Sequence, residues 1–143
     1  MSKILVVDDS ATMRKIVMKG AKGAASTIGK PEPEFIEAGD GLEGLEQLSK
    51  HDGINLILCD VNMPNMDGIQ FVRCIRDQKA LEETNVGSKS LLKRVGNMIP
   101  IVMVTTEGGL EKVQEALAAG ANDYLKKPFT PEQLAEKIGG FLG

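Results

Sequence analysis

The amino-acid sequence predicts an α/β domain of the doubly wound type, a five-stranded parallel sheet flanked by five helices. Three observations carry that expectation. Ile4-Leu5-Val6-Val7, Leu56-Ile57-Leu58-Cys59 and Ile101-Val102-Met103-Val104 are strand-length runs, apolar on both faces, as in central strands covered on each side. Stripes of helical period lie between the strands, so strand and helix alternate. The length of 143 residues is that of a single domain, taken as 1–143.

Each element has its own local reason. Strand one is the run ending at Val7. Helix one follows Asp9-Ser10, with Ser10 as its cap and Met13, Ile16 and Val17 on one face. The stretch from Lys19 to Pro33 holds Gly20, Gly23, Gly29, Pro31 and Pro33 and reads as a long link from helix to strand. Glu34–Ala38 alternates in polarity, which suits a strand nearer an edge. Helix two starts at Asp40, with Glu43 placed to complete a capping pair and Leu42, Leu45 and Leu48 as its stripe.

Helix three carries Ile69, Val72 and Ile75. The segment Gln78 to Met98 is longer than the usual connection, an insertion between helix three and strand four. Its Leu91-Leu92 and Val95 suggest an extra helical turn or two. Helix four shows Leu110, Val113 and Leu117 and stops at Gly120; Asp123–Lys126 is the fifth strand. Helix five has Leu134, Ile138 and Phe141, a Thr130 cap, Pro131 in the first turn and Gln133 closing a capping box.

Composition narrows the function. A net charge of −3 and 3% aromatic residues speak against a nucleic-acid surface or an anionic membrane as partner. No run approaches the roughly 20 apolar residues of a membrane span, and the first residues are too short an apolar run for a signal peptide. Two cysteines, Cys59 and Cys74, are too few for a disulfide framework. A cytoplasmic protein is expected. With His51 as the one histidine, multi-histidine metal sites are excluded.

The chemistry gathers at the strand ends. Open α/β sheets bind ligands at the carboxyl ends of their strands. Here those ends carry Asp8-Asp9, Asp60, Thr105-Thr106 and Lys127. Taken singly, each has a plain structural reading: capping for the acidic pair, a turn for Asp60, strand propensity for the threonines, a solvated surface for the lysine. Together they are harder to explain that way. Three carboxylates held close repel unless a cation compensates, and Mg2+ is the natural oxygen-liganded partner. A lysine and a threonine hydroxyl beside them suit a dianion. The set suits a phosphoryl group on a carboxylate, with Mg2+ and Lys127 offsetting its charge.

The segments Val6-Val7-Asp8-Asp9-Ser10 with Thr12-Met13-Arg14, Asp60-Val61-Asn62-Met63-Pro64-Asn65-Met66-Asp67-Gly68, Val104-Thr105-Thr106-Glu107-Gly108 and Lys127-Pro128-Phe129-Thr130-Pro131 closely resemble response-regulator receiver domains. Within them the likeness is to the single-domain chemotaxis type, CheY-like, with a flavodoxin-like fold. The resemblance implies that Asp60 accepts a phosphoryl group from a histidine kinase, and that Asp9 binds Mg2+ directly while Asp8 acts largely through water. It implies that the Asn62 backbone carbonyl completes the protein ligands, with Asp60 itself among them. Thr105 would bond the phosphoryl oxygen and Lys127 would pair with it, aimed by a cis Lys127–Pro128 bond. Tyr124 would swing inward on activation, reshaping a face around helix four, strand five and helix five. Val61 departs from the larger residue frequent in chemotaxis members.

The expected function is therefore a two-component response regulator that catalyses its own phosphorylation and dephosphorylation and is otherwise no enzyme. It would act as a monomer and dock on a flagellar motor switch protein or another target. A phosphatase is a further expected partner, and Asn62 and Glu107 would orient the hydrolytic water. A phosphorelay intermediate serving a histidine phosphotransfer protein is the alternative. A Mg2+-dependent aspartyl phosphohydrolase is more distant, because Asn62 stands where its general acid would be. A nucleotide site at Gly108-Gly109 lacks any surrounding phosphate-loop pattern. In the 78–98 insertion, Lys89, Lys93 and Arg94 beside Leu91-Leu92 read as a tolerated loop or a docking element.

Overall fold

A computed structural model of the chain describes residues 2–77, 99–106 and 109–142. The chain runs β1 (Lys3–Val7), α1 (Ala11–Thr27), β2 (Glu34–Ala38), α2 (Gly41–Lys50), β3 (Leu56–Cys59), α3 (Gly68–Arg76), β4 (Ile101–Thr105), α4 (Leu110–Ala119), β5 (Asp123–Lys126) and α5 (Pro131–Ile138), then a 3-10 turn at Gly139–Phe141. All strand pairs are parallel, in the order β2-β1-β3-β4-β5. The expected five strands and five helices are all present. The 78–98 insertion, with its suggested helical turns and basic cluster, lies outside the described residues, as do Glu107 and Gly108.

Alternation along the central strands builds two cores. Leu5, Val7, Ile57, Cys59, Ile101 and Met103 face α2, α3 and α4, where Leu45, Leu48, Phe71, Val72 and Ala116 meet them. Ile4, Val6, Leu56, Leu58, Val102 and Val104 face the other way, toward Val17, Ala21 and Ala24 of α1 and Leu134 and Ile138 of α5. Both faces of β1, β3 and β4 are therefore dry, which is why those runs are apolar throughout.

Three expectations need correction. The link expected from Lys19 onward is largely helix, since α1 continues to Thr27. Its small residues are there for close approach rather than for breaking the helix. A Cβ on Gly20 would lie 2.6 Å from the Phe129 ring, and Ala21, Ala24 and Ala25 are fully buried. Packing thus overrides the glycine penalty of about 1 kcal/mol each. Second, the stripe of α4 does not face the core: Leu110 is 72% and Leu117 44% exposed, and Ala116 is the residue buried there. Third, Ile16 and Leu42 are exposed. On α2 it is Gly44, against the Phe71 ring, that shares the inner face with Leu45 and Leu48.

The helix starts follow the predicted chemistry. Ser10, Asp40 and Thr130 accept from the backbone N–H groups of Met13, Glu43 and Gln133. Thr130 and Gln133 form the reciprocal box, while Glu43 reaches back to the Gly39 N–H rather than to that of Asp40. Among the described residues no helix is long and apolar enough to cross a membrane.

Candidate functional site at the carboxyl ends of the strands

The strand order puts a topological switch point between β1 and β3. From β1 the chain crosses outward to β2, and from β3 outward to β4, so the loops diverge and leave a crevice at the strands' carboxyl ends. Asp8 and Asp9 follow β1 and Asp60 follows β3. One carboxylate oxygen from each of the three can be chosen so that all lie within 4.8 Å of one another. Asp8 is buried, Asp60 half-buried and Asp9 exposed, a graded entry from solvent to sheet.

Asp8 and Asp60 are held by backbone. Asp8 Oδ1 accepts from the Ser10 N–H at 2.9 Å, a turn bond that leads into the helix, while the cap of α1 itself is Ser10 and neither acid of the pair. Its carbonyl accepts from Arg14 Nη1 at 2.7 Å, while Arg14 Nε donates to Glu37 at 2.9 Å. The Asp60 N–H donates to the Val7 carbonyl at 2.9 Å, tying β3 to β1. Asp60 Oδ1 accepts from the Val61 N–H at 2.7 Å, which fixes the carboxylate plane.

Lys127 supplies the counter-charge. It follows β5, and its N–H donates to the Thr105 carbonyl at 2.8 Å. The Lys127–Pro128 peptide is cis. The side chain is 5% exposed, and Nζ lies 2.8 Å from Asp8 Oδ2 and 3.7 Å from Asp60 Oδ2. A solvated surface lysine is thereby excluded. One buried ammonium meets two of the three clustered carboxyl groups, an imbalance that a further cation would relieve. The donors are all hard oxygens, which fits Mg2+ and would not select a soft metal.

Thr105 ends β4 fully buried, with Thr106 exposed beyond it. Asn62 sits exposed in the turn after Asp60, and Val61 is buried. Tyr124, in the middle of β5, packs against the α2–α3–α4 core with its hydroxyl out of solvent. His51 is exposed at the end of α2, away from the strand ends. The Cys59 thiol, beside Asp60, is pushed well up by burial and further by the Asp60 and Asp8 carboxylates. It stays protonated and is a core residue.

Two contributors were not legible as site residues. Arg14 was visible only as part of a motif, yet it anchors the Asp8 carbonyl. Gly68, the first residue of α3, donates its N–H to the Val61 carbonyl at 2.8 Å. A Cβ there would collide with the Asp60 carbonyl oxygen and lie 2.9 Å from that carbonyl carbon and from Met103 Cε. Only glycine lets α3 start this close to Asp60.

Residues 4–139 match the family described as response regulator receiver domain. A chemotaxis protein CheY homolog of Campylobacter jejuni is 39% identical over 141 residues, covering 99% of this chain and 92% of that one. The chemotaxis protein CheY1 of Helicobacter pylori is also 39% identical over 141 residues, covering 99% and 97%. Among solved structures, the chemotaxis protein CheY4 of Vibrio cholerae superposes with a TM-score of 0.70 at 36% identity, covering 99% of both chains.

Proposed function

The chain belongs to the response regulator receiver domain family, and on that premise we propose that it is a chemotaxis response regulator that carries its signal as a phosphoryl group on Asp60. The observation that supports this most is the buried Lys127 ammonium set between Asp8 and Asp60, within reach of an acidic triad at the switch point.

In the proposed reaction an Asp60 carboxylate oxygen attacks the phosphorus of a phosphohistidine on a kinase, or of a small acyl phosphate. The new P–O bond forms as the P–N or P–O bond to the donor breaks, and imidazole or carboxylate leaves with that electron pair. Asp8, Asp9, Asp60 and the Asn62 carbonyl would hold Mg2+, which supplies charge neutralisation on the phosphoryl oxygens. Lys127 is already desolvated and pre-placed, so its attraction for a phosphoryl oxygen on Asp60 costs little reorganisation. Thr105 offers a hydroxyl on the same rim. Asn62 and Glu107 would orient the water that later hydrolyses the acyl phosphate.

The phospho-form would then dock on a target such as the flagellar motor switch protein, through the α4–β5–α5 face. The exposure of Leu110 and Leu117 there and Tyr124 at its base support that choice. A histidine kinase of the chemotaxis type and a phosphatase complete the expected partners. The test is incubation with acetyl phosphate followed by intact mass. One phosphoryl group should be gained with Mg2+ and none with a chelator, and Asp60→Asn should lose it. Steady turnover of small phosphate esters would instead mean a hydrolase.

A further inference from the structure

Neither β2 nor α2 contributes an acid to the cluster, yet the corner between them touches both loops that do. On one side Glu37 of β2 accepts from Arg14 Nε at 2.9 Å, and the same guanidinium donates Nη1 to the Asp8 carbonyl at 2.7 Å. On the other side the loop from Asp60 to Asp67 is seated on the first residues of α2. The Gly41 N–H donates to the Met66 carbonyl at 3.0 Å, and Asn65 Nδ2 donates to Asp40 Oδ2 at 2.8 Å.

Asp40 is used twice. Its Oδ1 caps α2 by accepting from the Glu43 N–H at 2.8 Å, and this leaves Oδ2 for Asn65. Asn65 has a left-handed backbone, with φ of 65°, where glycine, asparagine and aspartate are tolerated. Glycine would keep the turn but lose the amide. Aspartate would set a second carboxylate against Asp40. Asparagine alone of the three satisfies both the backbone and the Asp40 oxygen.

The far end of the loop is also fixed, by the Gly68 N–H on the Val61 carbonyl at 2.8 Å and by Asp67, which caps α3 by accepting from the Gln70 N–H. Asp60 and Asn62 therefore sit in a span held at its base by Gly68 and at its crest by Asn65. A span held at both ends keeps its carbonyls aimed, and hard divalent ions of small radius demand close geometry.

We propose that Asp40 and Asn65 are positioning residues of the metal site: their hydrogen bond pins the crest of the Asp60–Asp67 loop to α2 and so sets the affinity for Mg2+ without supplying a ligand. The inference rests on the metal reading above. It also gives the β2–α2 corner a role as the common frame of both acid-bearing loops.

The probe is Mg2+ alone, titrated by calorimetry into the unphosphorylated chain, with urea unfolding in chelator as the control for stability. Asn65→Gly should raise the Mg2+ dissociation constant by about three- to tenfold, the range of one ordinary solvent-exposed hydrogen bond. Its unfolding midpoint in chelator should stay near that of the parent, since glycine suits the left-handed backbone. Asp40→Ser, which keeps a capping oxygen, should weaken Mg2+ by a similar factor. The double variant should be no weaker than the poorer single one, because both remove the same bond. Mg2+ affinity unchanged in Asn65→Gly, or fully additive losses in the double variant, would overturn the proposal. A parent chain that takes up no Mg2+ would overturn the metal reading itself, and with it this inference.

Discussion

Replacing Lys127 by methionine keeps an apolar stem of similar length and removes the buried ammonium that stands beside Asp8 and Asp60. The gross attraction at 2.8 Å to Asp8 and 3.7 Å to Asp60 is about 6 and about 4.5 kcal/mol at an effective dielectric of about 20. Desolvation of the ammonium cancels much of that, so the usual net loss on orphaning a buried charge, about 3–5 kcal/mol, is the expected size. Against a total stability of about 5–15 kcal/mol this is a large fraction. Mg2+ changes the balance, because a divalent ion no longer shares the crevice with an ammonium. Urea unfolding of Lys127→Met should show the deficit in chelator and a smaller one in saturating Mg2+, with Mg2+ affinity equal to or above that of the parent. A variant as stable as the parent in chelator would refute the electrostatic reasoning. So would one that no longer binds Mg2+.

Asp9→Ala should weaken Mg2+ by about tenfold or more, read by calorimetry, because it removes an exposed oxygen donor, with little change in stability in chelator. Gly68→Ala should cost about 1–3 kcal/mol in urea unfolding, the range for forcing atoms into a packed site, and should slow acetyl-phosphate labelling as Asp60 is displaced. Neither Cys59 nor Cys74 should react with iodoacetamide in the native chain, since both are buried and the Cys59 thiol is held protonated; both should react in urea.

The architecture was legible because the central strands are apolar on both faces and because the caps at Ser10, Asp40 and Thr130 use side chains that signal helix starts. The acids and Lys127 were legible from their places at strand ends. What the linear pattern hid was tertiary. Gly20 and Gly23 look like helix breaks until Phe129 and Pro131 are seen packed on that side of α1. Leu110 and Leu117 keep a helical period that points outward, and periodicity cannot tell an inner stripe from a docking one. Arg14, Gly68 and Asn65 act on the site through backbone carbonyls or a carboxylate distant in sequence, so no spacing rule exposes them.

The most direct measurement of the central claim is the location of the phosphoryl group itself. After labelling with acetyl phosphate and Mg2+, borohydride reduction converts an aspartyl phosphate to homoserine, and peptide mass spectrometry locates the change. The predicted result is one modified position, Asp60, with Asp8 and Asp9 intact. Reduction at another acid, or phosphate that survives as an ester on Ser10 or Thr105, would contradict it.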